Sequence, residues 1–197
     1  MNQSITMYEV LKRGRTHSLS VECQLQLIDK MVKLMLLYKS EMWGFSKTID
    51  CLEQIQLRFC KLLLNLKSST PNYMIYGGLG RFPIEIDIQI RMVSFWGRLL
   101  LGKETNLSYL SHKLLYMLSV DENVDSAWIK YLKTLMDDTG YSGILRNQDI
   151  PNSNWLILSI RLRLQDQFKQ DWYSLIDHFP KALNYRTFKQ NFEIESY

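Results

Sequence analysis

Adjacent Asp137 and Asp138 are the residues whose type best suits the binding of divalent cations. Two-metal phosphoryl transfer needs carboxylates a few ångströms apart, on a turn that exposes both. Here the pair follows Leu135-Met136 at the end of an amphipathic stretch. Neighbouring helical residues point about 100° apart, so the pair reads as a solvated helix end. His17, His112 and His178 have no Cys or His at ligand spacing. Cys51 and Cys60 are nine residues apart, which on one helix turns them to opposite sides. That spacing argues against a disulfide or a shared metal. Gly77-Gly78-Leu79-Gly80-Arg81 resembles a phosphate loop in composition only. No strand precedes it and no Lys-Ser/Thr follows, so it reads as a turn between helices. No Ser-His-Asp order or nucleophile elbow occurs. The expectation is no catalytic residue, no metal site and no cofactor.

The remaining constellation is basic. Lys12, Arg13, Arg15, Lys30, Lys33, Arg58, Lys61 and Lys67 could line a groove that follows phosphates, with Arg81 joining them. Tyr73 and Tyr76 could stack on bases or sugars. The same spacing also describes a solvated surface over core aromatics. The net charge of +4 is uneven: residues 1–100 carry 13 Lys/Arg against 8 Asp/Glu, and residues 101–197 carry 11 against 12. A basic front half is compatible with nucleic acid without requiring it.

Helices must position these residues. The 197-residue chain is 46% hydrophobic and 22% charged, ordinary values for a folded globular protein. Ser4 to about Thr16 reads as a short amphipathic helix with a basic end. Ser18 or Ser20 caps a second helix carrying Leu25, Ile28, Met31, Val32, Met35 and Leu36. Gly44 is its natural stop. Ser46 or Thr48 caps a third helix, whose stripe runs Ile49, Leu52, Ile55, Phe59, Leu62, Leu63 and Leu66.

After Pro83 the pattern conflicts. Ile84, Ile86, Ile88 and Ile90 alternate at strand period, while Met92, Val93, Phe95, Trp96, Leu99 and Leu100 continue at helical spacing. With no second strand nearby, and Pro suited to a first helical turn, a long helix Pro83–Leu101 is expected. Further helices are expected at Leu107–Leu118, around Trp128–Met136, over Trp155–Ile176 in one or two pieces, and from Asn184 to about Phe192. Tyr141 to Ser153 reads as a loop. The fold expected is all-α, an irregular bundle of about seven to nine helices. A seam at Gly102–Leu107 would divide it into subdomains 1–102 and 103–197.

The front half also carries phrases whose order is informative. They are Val10-Leu11-Lys12-Arg13-Gly14-Arg15, Leu36-Leu37-Tyr38 through Trp43-Gly44, Gln56-Leu57-Arg58-Phe59-Cys60-Lys61, and Ser68-Ser69-Thr70-Pro71. Gly80-Arg81-Phe82-Pro83-Ile84-Glu85-Ile86 and Pro180-Lys181-Ala182-Leu183-Asn184-Tyr185-Arg186 follow. Together they resemble the region downstream of the polymerase active site in non-LTR retrotransposon reverse transcriptases. The resemblance implies that residues 18–101 are a thumb-like helical region that packs on primer–template duplex, RNA–DNA or DNA. It implies that the rest is a helical linker. The palm with its metal-binding aspartates would precede Met1, and a Cys/His-rich region would follow Tyr197. The chain would then be a fragment, inactive alone. Two positions depart from the family's habit: Lys39 stands where a turn Gly is usual, and Gly78 where many relatives are acidic.

The alternative is a helical protein-interaction module without catalytic activity. Unpaired thiols suit a cytoplasmic or nuclear setting. The N-terminus lacks the pattern of a secretory signal. The longest apolar run, Leu34–Tyr38, is too short to span a bilayer, so no membrane partner is expected.

Overall fold

The computed structural model describes residues 20–46, 48–102, 106–121, 126–150, 152–179 and 182–192. Among the described residues it is all-α, with ten helices and no strand. Val21–Leu27, a π-helical segment Ile28–Val32 and a last turn Lys33–Leu36 form one continuous helix, α1. Then come α2 (Ser40–Trp43), α3 (Thr48–Leu63), α4 (Asn72–Leu79) and α5 (Ile84–Leu100). The second half contains α6 (Leu107–Asp121), α7 (Ala127–Asp138), α8 (Ser142–Asn147), α9 (Ser153–His178) and α10 (Leu183–Phe188).

Helix α5 lies at the centre, and its sequence explains the strand-like alternation. Ile84, Ile88 and Met92 form one row at four-residue steps and pack with Leu37 and Leu52. Ile86, Ile90, Val93 and Trp96 form a second row. They pack with Leu132, Leu135 and Met136 of α7, Leu145 of α8, and Leu156, Ile160 and Leu164 of α9. Two interleaved helical rows covered by different neighbours mimic a period of two. Burying each such side chain contributes about 2 kcal/mol, which decides in favour of the helix. Pro83 precedes the first turn, and Glu53 of α3 accepts the free Ile84 N–H at 2.7 Å.

A third cluster joins the halves of the chain. It gathers Leu25, Ile28 and Val32 of α1, Leu57, Phe59 and Cys60 of α3, Ile75, Tyr76 and Leu79 of α4, Trp172 and Ile176 of α9, and Phe192. The seam at Gly102–Leu107 therefore does not separate the hydrophobic clusters. Gly77 permits the close approach of α4 to α9: a Cβ there would sit 2.3 Å from Trp172 Cζ2. The Trp172 indole N–H donates to the Tyr73 carbonyl at 2.8 Å.

Several boundaries differ from expectation. The helix count exceeds seven to nine because short helices occupy connections. One of these, α8, lies in the stretch Tyr141–Ser153 that reads as a loop. Helix α3 ends at Leu63, with Asn65 at φ 54°, so Leu66 leaves the stripe and is 40% exposed. Met31 and Met35 are exposed although they fall in the expected apolar set. Helix α9 is one unbroken element, and Ser20 caps α1 by accepting the Cys23 N–H at 3.2 Å.

Gly44 is not the first stop of α1. The chain turns earlier, at Lys39, which adopts φ 52°, ψ 26°. Gly44 has φ −68° and serves packing instead: a Cβ there would lie 2.2 Å from Ile88 Cγ2. A left-handed lysine costs about 1–2 kcal/mol that glycine avoids, less some unfolded-state entropy. Lys39→Gly is therefore expected to stabilise the protein by about 1 kcal/mol. This corresponds to a rise in Tm of about 2–4 °C for a chain of this size, measured by calorimetry. An unchanged or lower Tm would mean that the turn is not held left-handed in solution.

Candidate functional site

Helices α1, α5 and α9 border a charged cleft. Asp29 and Lys33 enter from α1, Asp87 and Arg91 from α5, Arg161 from α9, and Arg81 from the turn before α5. Asp87 is the pivot. It ion-pairs with Lys33 and accepts from Arg161 Nη1 at 3.1 Å, so one carboxylate ties three helices together. Arg81 pairs with Asp29. Burial pushes the Asp87 pKa up, but Lys33 and Arg161 outweigh it and hold the carboxyl below its ordinary value. Arg91 is half-buried in the same cleft and forms no ion pair with a described residue.

Of the expected site residues that are described, only Lys33 and Arg81 line this cleft. Lys12, Arg13 and Arg15 lie outside the described residues. Lys33 and Arg81 are engaged in the cleft. Lys61 donates from Nζ to the Ser68 carbonyl at 2.8 Å, tying down the chain after α3. Lys30, Arg58 and Lys67 are exposed and form no ion pair with a described residue.

The two tyrosines expected to stack are placed differently from each other: Tyr76 is buried and Tyr73 is partly buried. Tyr76 is 8% exposed, its hydroxyl donates to Glu53, and its ring meets the Phe168 ring edge-on. Burial and the neighbouring Glu53 carboxylate raise the Tyr76 pKa. The Tyr73 ring sits edge-on to Phe179 and Tyr185, at centroid distances of 5.9 and 6.4 Å. Both rings therefore serve the contacts of α4 with α9 and the chain beyond it. Glu53 itself is shifted upward, because burial outweighs the hydrogen bonds from Tyr76 and the Ile84 N–H.

Sequence reading missed Asp29, Asp87, Arg91 and Arg161. One signal was present: Asp87 interrupts an isoleucine-rich helix, and a carboxylate on a buried helix requires a partner. Nothing local marks Arg161, which lies 74 residues away in sequence.

The other candidates have structural roles. Asp137 and Asp138 are exposed at the end of α7. The Asp138 carbonyl accepts from Gln167 Nε2 at 3.1 Å. His112 is buried beside Gln148, with Nε2 3.1 Å from Oε1, and burial lowers its pKa. In the glycine-rich segment Gly80 is left-handed at φ 56°, and the Arg81 N–H closes the α4 cap on the Tyr76 carbonyl. Those backbone donors are thus committed to the cap.

Among the described residues no group of His, Cys, Asp or Glu could hold a metal ion, and no helix is long and apolar enough to cross a membrane. Comparison with known proteins finds no matching family model, curated protein or solved structure.

The Asp87 shift has a defined sign. A carboxyl whose folded pKa is depressed stabilises the fold above its unfolded value and loses that contribution as pH falls through the folded value. The expected outcome is a loss of stability below about pH 4, measured by urea unfolding across pH. Asp87→Asn should flatten that limb and cost about 1–3 kcal/mol at pH 7. An unaltered acid limb in the variant would remove Asp87 from this role. Glu53 runs the other way: its raised pKa makes the fold less favourable as pH rises through the carboxylate range.

Proposed function

We propose that the chain is the thumb-and-linker part of a non-LTR retrotransposon reverse transcriptase, holding primer–template duplex by sequence-independent phosphate contacts. It contributes no catalytic residue. In a full-length element the palm would supply the metal-binding aspartates. The observation that carries this reading is the turn at Lys39. Relatives of that kind tend to carry Gly there, and here the residue adopts φ 52°, a conformation that favours glycine. The phrase order and the backbone thus agree on one position where this chain departs in residue type.

Of the expected residues that are described, exposed Lys30, Arg58 and Lys67 offer cations to phosphates, and Arg91 lines the cleft. Such contacts release counterions, so affinity falls with salt in proportion to their number. The test is titration of an RNA–DNA hybrid against the full chain at several salt concentrations. Arg58→Gln combined with Lys67→Gln should weaken binding and reduce the log–log salt slope by about 2. An unchanged slope would reject both residues as phosphate contacts.

A second reading is a helical protein-interaction module. It is favoured by one face of α6, where Leu107, Leu110, Leu114 and Met117 follow at three- and four-residue steps and are 77%, 47%, 59% and 50% exposed. An apolar row of this kind marks a protein contact. Association indifferent to salt but abolished by Leu114→Glu would select this reading over the first.

A further inference from the structure

Helix α6 is held to the rest of the chain by one side and few residues. Over 107–120, His112 is the only buried residue. Its Nε2 lies 3.1 Å from Gln148 Oε1, and its ring meets Trp128 edge-on at 6.0 Å between centroids. Tyr116, half-buried on the same side, packs against the cluster around Trp96. Neighbouring helical residues point about 100° apart. Leu107, Leu110, Leu114 and Met117 therefore share an arc of about 80° centred opposite His112. Their steps are three, four and three, the a and d positions of two heptads. A helix that faces a globular core carries a wider stripe, whereas a row confined to a and d is the seam of a helix pair. A helix of this length is marginal alone, and α6 turns its most apolar face away from the core.

We propose that two copies of this chain pair through α6, seam against seam. The pairing rests on the reading of α6 as a protein contact and names the partner. Three observations select a second copy. The first is phase. A two-fold contact needs a patch complementary to itself, and a copy brings the same a and d row in the same phase. The second is charge. Between Leu107 and Val120 only Lys113 carries a formal charge, and it lies on the flank of the row, about 80° from its centre. The row itself is neutral, so it neither repels its own image nor selects a partner of opposite sign. The third is area. With Val120, 58% exposed on the same flank, the row presents roughly 500 Å² of apolar surface, so two copies would cover about 1,000 Å², the lower bound of a specific contact. An interface of that size makes a weak dimer that comes and goes with concentration.

The test is sedimentation equilibrium of the full, reduced chain in high salt over a range of micromolar concentrations. The average mass should climb from that of one chain toward twice it. Leu114→Glu should hold the mass at one chain and leave the helical circular dichroism unchanged. Independently, in a Cys23→Ser, Cys51→Ser background, an equal mixture of Leu110→Cys and Leu114→Cys chains should oxidise to disulfides between chains. These should form about tenfold faster than in Ser108→Cys, whose thiol lies off the row. A native chain that keeps the mass of one copy at every concentration overturns the dimer. It leaves α6 open to a different protein, so the dimer and the wider reading fail separately. A Leu114→Glu chain that still doubles its mass, or equal oxidation of the row and control cysteines, places the contact elsewhere and also overturns the proposal. Should the glutamate variant unfold, the cysteine chains decide the question alone.

Discussion

Two of the three hydrophobic clusters answer to the burial of α5. A helix with isoleucine at every second position over its first two turns cannot show a face to water without losing several kcal/mol. Ile84, Ile86, Ile88 and Ile90 are all buried, so neighbours must approach from more than one side. Helices α2 and α3 close one side, and α7, α8 and α9 close the other. The small residues follow from this crowding. Gly44 sits where α2 meets Ile88, and a methyl group there would overlap the isoleucine.

A carboxylate on so crowded a helix needs compensation, and Asp87 obtains it from two cations on two other helices. The resulting cluster is electrostatic but its use is positional. Buried ion pairs add little net stability compared with apolar contacts of equal volume. They do penalise any arrangement in which α1 or α9 slides along α5, because one cation would then be withdrawn from its carboxylate. Glu53 has the same use at the start of α5. It ties α3 to α4 through Tyr76 and to the first turn of α5 through the Ile84 N–H.

The fold class was legible because helical periodicity is local: the rows on α3, α5 and α9 can be counted along the chain. The Ile84–Ile90 conflict was resolvable on the absence of a strand to pair with. What was not legible depends on distant neighbours. Nothing in the local sequence shows that Tyr76 turns inward to Glu53, or that Lys33 is committed to Asp87, since both partners arrive from other elements. The basic residues were correctly seen as numerous, but number does not distinguish a cation facing solvent from one neutralised across a cleft. The short helix α8 escaped because six residues are too few to display a period.

Helix α9 runs for 26 residues, about 39 Å, and places Leu156 and Ile160 in one hydrophobic cluster and Trp172 and Ile176 in another. It acts as a tie beam. One helix thus contributes side chains to both clusters and couples them mechanically although the chain changes charge between them. For evolution this makes the protein hard to divide. A break near Gly102 takes the wall that α9 provides from the first half and the α5 rows from the second.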